Sequence, residues 1–196
     1  PIFLRKRFPR LKLILPGSNC ERCSFGFKIM KVELAPTTFV GWPEYSDAMI
    51  QLILADSVDR GNIAAAATPG GTGAVRQAFE LIKMANPGAR VFVSDPTWPN
   101  HPAMVRGVAI PMQTYRYIDD ETRTVDFAGM MEDLDGVAEG DVVILHGCCH
   151  NPTGANLNQT QWGEVAELLL AKGAVPFVDI AYQGFGDGLQ DDAFGV

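Results

Sequence analysis

The sequence predicts an α/β protein with a doubly wound, mostly parallel sheet and helices on both faces. Between residues 68 and 180, short apolar runs alternate with segments whose apolar residues recur at helical spacing, as in repeated strand and helix units. The runs at 91–94, 142–145 and 174–178 are mostly apolar without alternation, which is typical of strands covered on both faces. Polar residues follow all three runs, at the place where open α/β sheets bind ligands.

Apolar periodicity predicts the elements around these strands. Five helices are expected, at 45–55, 74–85, 103–108, 127–134 and 159–170. A further strand is expected at 109–117, with a turn at 119–121. Asp126 is predicted to cap the fourth helix, and Asn158 with Gln161 to form a capping box on the fifth. The inward face of the fifth helix is expected to contain Trp162, Val165, Ala166 and Leu169.

Length and composition fit a globular chain of one domain. With 196 residues, 47% hydrophobic and 20% charged, the chain can bury a normal core. Its formal net charge of -7 argues against nucleic acid as a partner, because phosphate binding requires a basic face. No apolar run reaches the ~20 residues of a membrane span, so no membrane association is predicted and a cytoplasmic location is expected.

Residues 1–38 differ from the rest of the chain in charge and pattern. Eight Lys and Arg against Glu21 alone give residues 1–32 a net charge of +7, which leaves -14 for the remainder. Four prolines interrupt a pattern that matches neither helix nor strand. We therefore predict a division into a basic segment of unassigned role, 1–38, and a domain, 39–196.

The four cysteines form two close pairs, Cys20 with Cys23 and Cys148 with Cys149. Two pairs in a chain of this size are no disulfide framework, so a reducing compartment is expected. A single CxxC supplies only two of the four ligands of a structural zinc site, and no metal site is predicted.

The Gly-rich stretch TPGGTG, residues 68–73, opens the second predicted helix. Backbone N–H groups at the positive end of a helix dipole suit a phosphate. The stretch matches neither GxGxxG nor GxxxxGK[ST], so it indicates neither a dinucleotide nor a nucleoside triphosphate. A plain helix start would show the same pattern.

Four polar motifs, TPGGTGA, SDPTWPNH, HGCCHNPTG and FVDIAYQGF, follow one another along the chain. In order and spacing they resemble the motifs of aspartate and aromatic amino-acid aminotransferases, which are pyridoxal-phosphate enzymes of fold type I. The resemblance extends over about residues 41–196. It implies transamination between an amino acid, aspartate or aromatic, and a 2-oxo acid such as 2-oxoglutarate. It also implies pyridoxal 5'-phosphate as cofactor and a homodimer in the full-length parent.

The resemblance implies four residues around the cofactor ring. Asp179 would pair with the pyridine nitrogen and keep it protonated, which makes the ring an electron sink. Tyr182 and Asn151 would hydrogen-bond the ring's 3-oxygen, and Trp98 would stack on the ring face. Asp179, Tyr182 and Trp98 are thus the implied catalytic residues.

The resemblance also implies a phosphate site and a support for the carboxylate. Gly70, Gly71 and Thr72 would bind the phosphate through backbone N–H groups and the Thr hydroxyl. His101 would lie behind Asp179 and orient it, with His146 assisting. A packing or capping role is the alternative for each of these residues.

The sequence departs from the family pattern at three places. The family's cofactor-linked lysine follows the strand of Asp179, whereas the last lysine here is Lys172. The last arginine is Arg123, although a later arginine binds the substrate carboxylate in the family. Residues 35–38 read APTT, where a tyrosine lent to the partner subunit's phosphate is expected. We therefore expect a fragment of the large domain that is inactive alone.

Two other functional classes are alternatives for this fold. A nucleotide-binding oxidoreductase would require GxGxxG after the first strand, which TPGGTG does not provide. A non-catalytic binding module of the same fold is the other alternative. The choice between aspartate and aromatic substrates is left open by the sequence.

Overall fold

A computed structural model describes residues 14–16, 26–29, 43–55 and 57–196, and this part of the chain contains a seven-stranded sheet. The strands are β1 (Ile14–Pro16), β2 (Gly26–Ile29), β3 (Ala65–Thr68), β4 (Val91–Asp95), β5 (Met112–Arg116), β6 (Val142–His146) and β7 (Val175–Ile180). The helices are α1 (Pro43–Leu54), α2 (Gly70–Ala85), α3 (Asn100–Gly107), α4 (Phe127–Leu134) and α5 (Gln159–Lys172). Short 3₁₀ helices cover Arg60–Asn62 and Asp191–Ala193.

The strand order is β3-β2-β1-β7-β6-β4-β5. Only β2 is antiparallel to its neighbours, while β1, β7, β6, β4 and β5 pair in parallel. The carboxyl ends of β3, β4, β6 and β7 therefore meet at one edge of the sheet. The predicted doubly wound, mostly parallel sheet is confirmed.

Helices cover both faces of the sheet. Neighbouring side chains of a strand point to opposite faces, so each central strand contacts helices on both sides. Val91 and Val93 of β4 pack with α2 and α3, whereas Phe92 between them packs with α4 and α5. In β6, Ile144 joins the first of these clusters and Leu145 the second. Both faces are buried, which explains why these strands have no polar alternation.

Most predicted elements lie within a few residues of the observed ones, and both predicted caps are present. Asp126 accepts a hydrogen bond from the Gly129 N–H at 2.9 Å. Asn158 and Gln161 form the reciprocal capping box on α5, with both bonds at 2.9 Å. The prediction that Ala166 faces inward is wrong, since it is exposed. Its small side chain lies outside the narrower apolar stripe that α5 buries.

The strands β1, β2 and β3 are not predicted by the sequence pattern. β3 reads AAAT and contains no aromatic residue and only Thr68 as a β-branched one, so its strand signal is weak. β1 and β2 have only three and four residues and belong to the basic segment 1–38. The division at residue 38 stays a prediction.

Arg90 and Asp141 join the starts of β4 and β6, at the edge opposite the predicted site. The guanidinium Nε donates to both carboxylate oxygens, at 3.2 and 3.0 Å, and the Ala138 N–H donates to the same carboxylate at 2.9 Å. Burial raises the pKa of Asp141, but these hydrogen bonds outweigh burial and hold the pKa below its usual value. The pair thus fixes the register of two central strands.

None of the described helices is long and apolar enough to cross a membrane.

Candidate active site

Three strand ends bring the predicted ring-binding residues to one edge of the sheet. Trp98 follows β4, the loop with Asn151 follows β6, and Asp179 is the penultimate residue of β7. His146 and Asp179 are direct neighbours across the β6–β7 pairing. Tyr182 comes two residues after β7.

Asp179 is held by a fully buried histidine. His101, which is 0% exposed, contacts Asp179 Oδ2 through Nε2 at 3.0 Å. His101 belongs to the first turn of α3, so the helix carries the imidazole behind the strand. The predicted contact between these two residues is therefore present.

A series of hydrogen bonds continues from His101 to the end of β6 and to the loop between β6 and α5, residues 147–158, which we call the β6 loop. Thr97 Oγ1 lies 3.0 Å from His101 Nδ1 and 3.3 Å from His146 Nε2. The backbone N–H of Asn151 donates to His146 Nδ1 at 3.4 Å. These contacts connect the loop after β6 to the carboxylate of β7 through Thr97.

The backbone N–H of Asn151 sets the donor and acceptor roles in this series of hydrogen bonds. Since His146 Nδ1 accepts from this N–H, the proton of the neutral ring is on Nε2, which donates to Thr97 Oγ1. The Thr97 hydroxyl then donates to His101 Nδ1, and His101 donates from Nε2 to Asp179. Asp179 is therefore the terminal acceptor of these hydrogen bonds.

The electrostatic environment agrees with neutral imidazoles in the β6 loop. Burial, with a smaller contribution from His101, lowers the pKa of His146 to about 4, although Asp179 opposes the shift. Burial together with His146 and His101 lowers the pKa of His150 to about 3. Both rings are therefore neutral near pH 7.

The turn out of β6 depends on a glycine. The Gly147 N–H donates to the Asp179 carbonyl at 2.8 Å, which holds the loop against β7. A Cβ on Gly147 would lie 2.9 Å from Cβ of Ile180, closer than packed side chains allow. This glycine therefore lets the β6 loop lie close to the end of β7.

The segment after Tyr182 is organised by Asp192. Its buried carboxylate accepts backbone N–H groups of Gly184 at 2.6 Å, Gly186 at 3.0 Å and Asp187 at 2.8 Å. Burial raises the pKa of Asp192, but these donors outweigh burial and lower it. The loop that continues from Tyr182 is thus tied to a fixed carboxylate.

Gly70, Gly71 and Thr72 form the first turn of α2, where Thr72 is exposed. The structure places the glycines inside the helix rather than in a turn before it. Gly70 has φ +71°, with nothing within 4 Å of a Cβ position. β3 is three strand spacings from β7, roughly 14 Å at ~4.8 Å each. A ligand that touches both Thr72 and Asp179 must therefore lie across β1 and β2.

The structure brings in several residues that the sequence did not indicate: Ser94, Thr97, His150, Thr153 and Asp192. Thr97 is the centre of the hydrogen-bond chain, and its position four residues before His101 in the polar SDPTWPNH motif was the available signal. The predicted Trp98 packs edge-on against the His101 ring, with centroids 5.2 Å apart.

Among the described residues, no group of His, Cys, Asp or Glu is arranged to hold a metal ion. Cys20 and Cys23 lie outside the described residues.

Comparison with known proteins decides the family. Residues 34–196 match the model of "Aminotransferase class I and II". The chain belongs to this aminotransferase family. Its members are enzymes, and the expected resemblance is confirmed.

Two curated aminotransferases illustrate the similarity. The chain is 59% identical over 156 residues to an aromatic-amino-acid aminotransferase of Paracoccus denitrificans, covering 80% of this chain and 40% of that protein. It is 45% identical over 136 residues to an aspartate aminotransferase of Pseudomonas aeruginosa, covering 69% of this chain and 34% of that protein. The chain thus spans about 40% or less of the length of these relatives.

Solved aminotransferase structures show the same fold. An aromatic amino acid aminotransferase with 3-indolepropionic acid superposes with a TM-score of 0.79 at 56% identity, covering 84% of this chain and 42% of that one. The aromatic-amino-acid aminotransferase of Burkholderia pseudomallei, covalently bound to pyridoxal phosphate, gives a TM-score of 0.78 at 40% identity, covering 81% of this chain and 40% of that one. The fold is that of fold type I pyridoxal-phosphate enzymes.

Proposed function

We propose that this chain forms the cofactor-binding large domain of an aminotransferase that uses pyridoxal 5'-phosphate. The whole enzyme would exchange an amino group between aspartate or an aromatic amino acid and a 2-oxo acid such as 2-oxoglutarate, as a homodimer. The relatives' names include both aspartate and aromatic activities, so the amino-acid preference stays open between these two classes.

The observation that carries the proposal is the state of Asp179. One carboxylate oxygen, Oδ2, accepts from His101, and the side chain is only 13% exposed. Within the part of the chain that the structure describes, no hydrogen bond to the other oxygen, Oδ1, is formed. A mostly buried carboxylate with one oriented and one unused oxygen fits a protonated pyridine nitrogen.

The chain's own residues divide the work around the cofactor. When bound, pyridoxal phosphate supplies an electron sink for the bonds at the substrate Cα. Asp179 would hold the proton on the ring nitrogen, because its bond from His101, which Thr97 contacts in turn, aligns the carboxylate. Trp98 offers an aromatic face at the mouth of the site, and Asn151 and Tyr182 offer donors for the ring's 3-oxygen.

The start of α2 supports the phosphate part of the proposal. The first N–H groups of a helix have no partner within the helix, and the dipole favours an anion there. α2 has no side-chain cap at its N-terminus, so the N–H groups of Gly71 and Thr72 are available to an anion. The Thr72 hydroxyl is exposed at the same turn.

The lysines with described side chains are engaged away from Asp179. Lys83 donates to the Ala109 carbonyl at 3.0 Å, and Lys172 pairs with Asp135 at 2.6 Å. Lys172 precedes β7 and thus lies at the edge opposite the site. The positions of these two lysines favour a second candidate function for the chain by itself, namely a domain that binds the cofactor without turnover.

The cellular setting is also part of the proposal. Cys148 and Cys149 are free thiols, and burial raises the pKa of Cys148 to about 12. Thiols of this kind are poorly reactive and fit a reducing, cytoplasmic compartment.

The cofactor site is tested by titration with pyridoxamine 5'-phosphate, which has the same ring and phosphate but forms no imine with lysines. We expect saturable 1:1 binding to the 196-residue chain by calorimetry at pH 7.5. Asp179→Asn keeps the shape of the side chain but removes its charge. It should weaken binding about 10- to 100-fold, the worth of a hydrogen bond to a charged group.

Glu167→Gln on the exposed face of α5 is the matched charge control and should bind like the wild type. Equal affinities for the wild type and Asp179→Asn would contradict the assignment of Asp179.

A further inference from the structure

His150 is a buried side chain that the proposed function does not use. It is 2% exposed and directly precedes Asn151. Its ring stacks on Tyr117, with centroids 3.9 Å apart and an interplanar angle of 16°, and lies 4.1 Å from the His146 ring. The imidazole thus fills the space between β5 and the β6 loop.

Both ring nitrogens of His150 have hydroxyl partners. Nε2 lies 2.9 Å from Ser94 Oγ, and Nδ1 lies 2.9 Å from Thr153 Oγ1. Ser94 is 1% exposed in β4, whereas Thr153 belongs to the same loop as His150. One side chain therefore joins the loop to a central strand and closes the loop on itself.

The backbone around His150 adds to this anchor. Its carbonyl accepts from the Gly154 N–H at 2.6 Å, and its N–H donates to Asn156 Oδ1 at 3.4 Å. The loop contains no helix or strand between β6 and α5. Its conformation consequently depends on individual contacts, and His150 takes part in four of the loop's hydrogen bonds.

We propose that His150 is the positioning residue of this loop and that it sets the direction in which the Asn151 side chain meets the ring 3-oxygen. The inference rests on the proposed function, since Asn151 acts only if the cofactor binds here. It goes further by naming the group that holds Asn151 in place. Because burial lowers the pKa of His150 to about 3, the ring acts through its position and not through a charge.

The test compares two ligands, pyridoxamine 5'-phosphate and its analogue without the 3-oxygen. His150→Phe keeps a ring against Tyr117 but removes both hydrogen bonds. It should lower the affinity for pyridoxamine 5'-phosphate about tenfold, as expected for a misplaced hydrogen bond to a charged group. The affinity for the analogue should change by no more than about twofold. Thr153→Val, which removes one of the two bonds, should show a smaller effect of the same kind.

Asn86→Ala is the control, because it removes a part-buried hydrogen bond to the Gly140 carbonyl before the start of β6, away from the loop. It should change neither affinity selectively. Equal weakening of both ligands in His150→Phe, or no weakening of either, would overturn the proposal.

Hydrogen exchange supplies a second readout that needs no ligand. In His150→Phe, the Asn151 and Gly154 amides should exchange at least about tenfold faster, while the amides of β4 and α5 keep their protection. Unchanged protection would overturn the positioning role. If the wild type bound neither ligand, the proposed cofactor site would fail, and the exchange rates would still decide the role of His150.

Discussion

At the scale of single residues, one backbone N–H has a large effect on the site. The Asn151 N–H fixes the acceptor nitrogen of His146, and through Thr97 it fixes the donor nitrogen of His101. Asp179 therefore accepts a hydrogen bond from His101 on Oδ2, and Oδ1 remains available to the proposed cofactor. The fold determines this polarity without a ligand, which is the kind of preorganisation that the proposed role of Asp179 requires.

The Thr72 hydroxyl gives a prediction at the phosphate end of the site. Thr72→Ala should weaken the binding of pyridoxamine 5'-phosphate by about 1–3 kcal/mol, because a hydrogen bond to a charged group is lost. Pyridoxamine, which has no phosphate, should bind the wild type and the variant equally. An unchanged affinity for the phosphorylated ligand would mean that Thr72 is only part of the helix start.

The buried imidazoles give a prediction for stability against pH. The unfolded chain takes up a proton at His146 and His150 near pH 6.5, whereas the folded chain does so only near about pH 4 and about pH 3. The unfolded state thus binds more protons in this window, so stability falls as pH falls. Each group should remove about 1.4 kcal/mol per pH unit well below pH 6.5.

Urea unfolding at pH 7, 6, 5 and 4.5 measures this slope. His150→Phe should roughly halve it, since one of the two imidazoles is gone. The neighbouring Asp179 opposes the shift of His146 and His101 adds to it, so both must be present in the compared proteins. A free energy of unfolding that stays flat from pH 6.5 to 4.5 would contradict neutral, buried imidazoles.

At the scale of elements, α5 depends on its ends. The capping box of Asn158 and Gln161 satisfies its first turn, and Gly173 at φ +68° ends it. Asn158→Ala should lower the free energy of unfolding by about 1 kcal/mol, measured by urea unfolding at pH 7. Gln159→Ala, one residue on and exposed, should cost much less; equal losses would argue against the cap.

The elements that could be predicted are those whose signal is local. β4, β6 and β7 are apolar on both faces, and the caps of α4 and α5 are read from two or three residues. β3 was missed because its alanines are equally compatible with a helix, and β1 and β2 because three or four residues show no period. Their place in the sheet is set by neighbours far along the chain.

The same division holds for the site. Asp179, Trp98 and the Gly-rich stretch are assigned to the proposed site from motifs, and the His101 contact is expected from the family resemblance. The Thr97 bridge, the His150 anchor and the Asp192 carboxylate depend on how three strand ends come together. Loops without regular structure give no periodic signal, so those contacts were found only in three dimensions.

At the scale of the whole molecule, the two halves of the proposed cofactor site follow strands that lie far apart along the chain. The phosphate end follows β3 and the ring end follows β7, with β1 and β2 between them. Both ends lie at one edge because β3 and β7 run in the same direction. The two lysines with described side chains, Lys83 and Lys172, lie away from this edge.

The 196-residue chain is therefore expected to bind the cofactor but not to transaminate. With pyridoxal phosphate, aspartate or phenylalanine, and 2-oxoglutarate, no glutamate should form, because neither lysine with a described side chain, Lys83 or Lys172, is placed to move the substrate proton. The Paracoccus denitrificans relative is the positive control. Turnover of ~1 to 10³ per second by this chain would show that a lysine reaches the site.

The central claim is that Asp179, oriented by His101, holds a proton on the pyridine nitrogen. It is tested most directly by the ¹⁵N chemical shift of pyridoxamine 5'-phosphate labelled at that nitrogen and bound to the chain at pH 7.5. We predict the shift of a protonated pyridinium in the wild type and of an unprotonated pyridine in Asp179→Asn. An unprotonated nitrogen in the wild-type complex would contradict the role of Asp179.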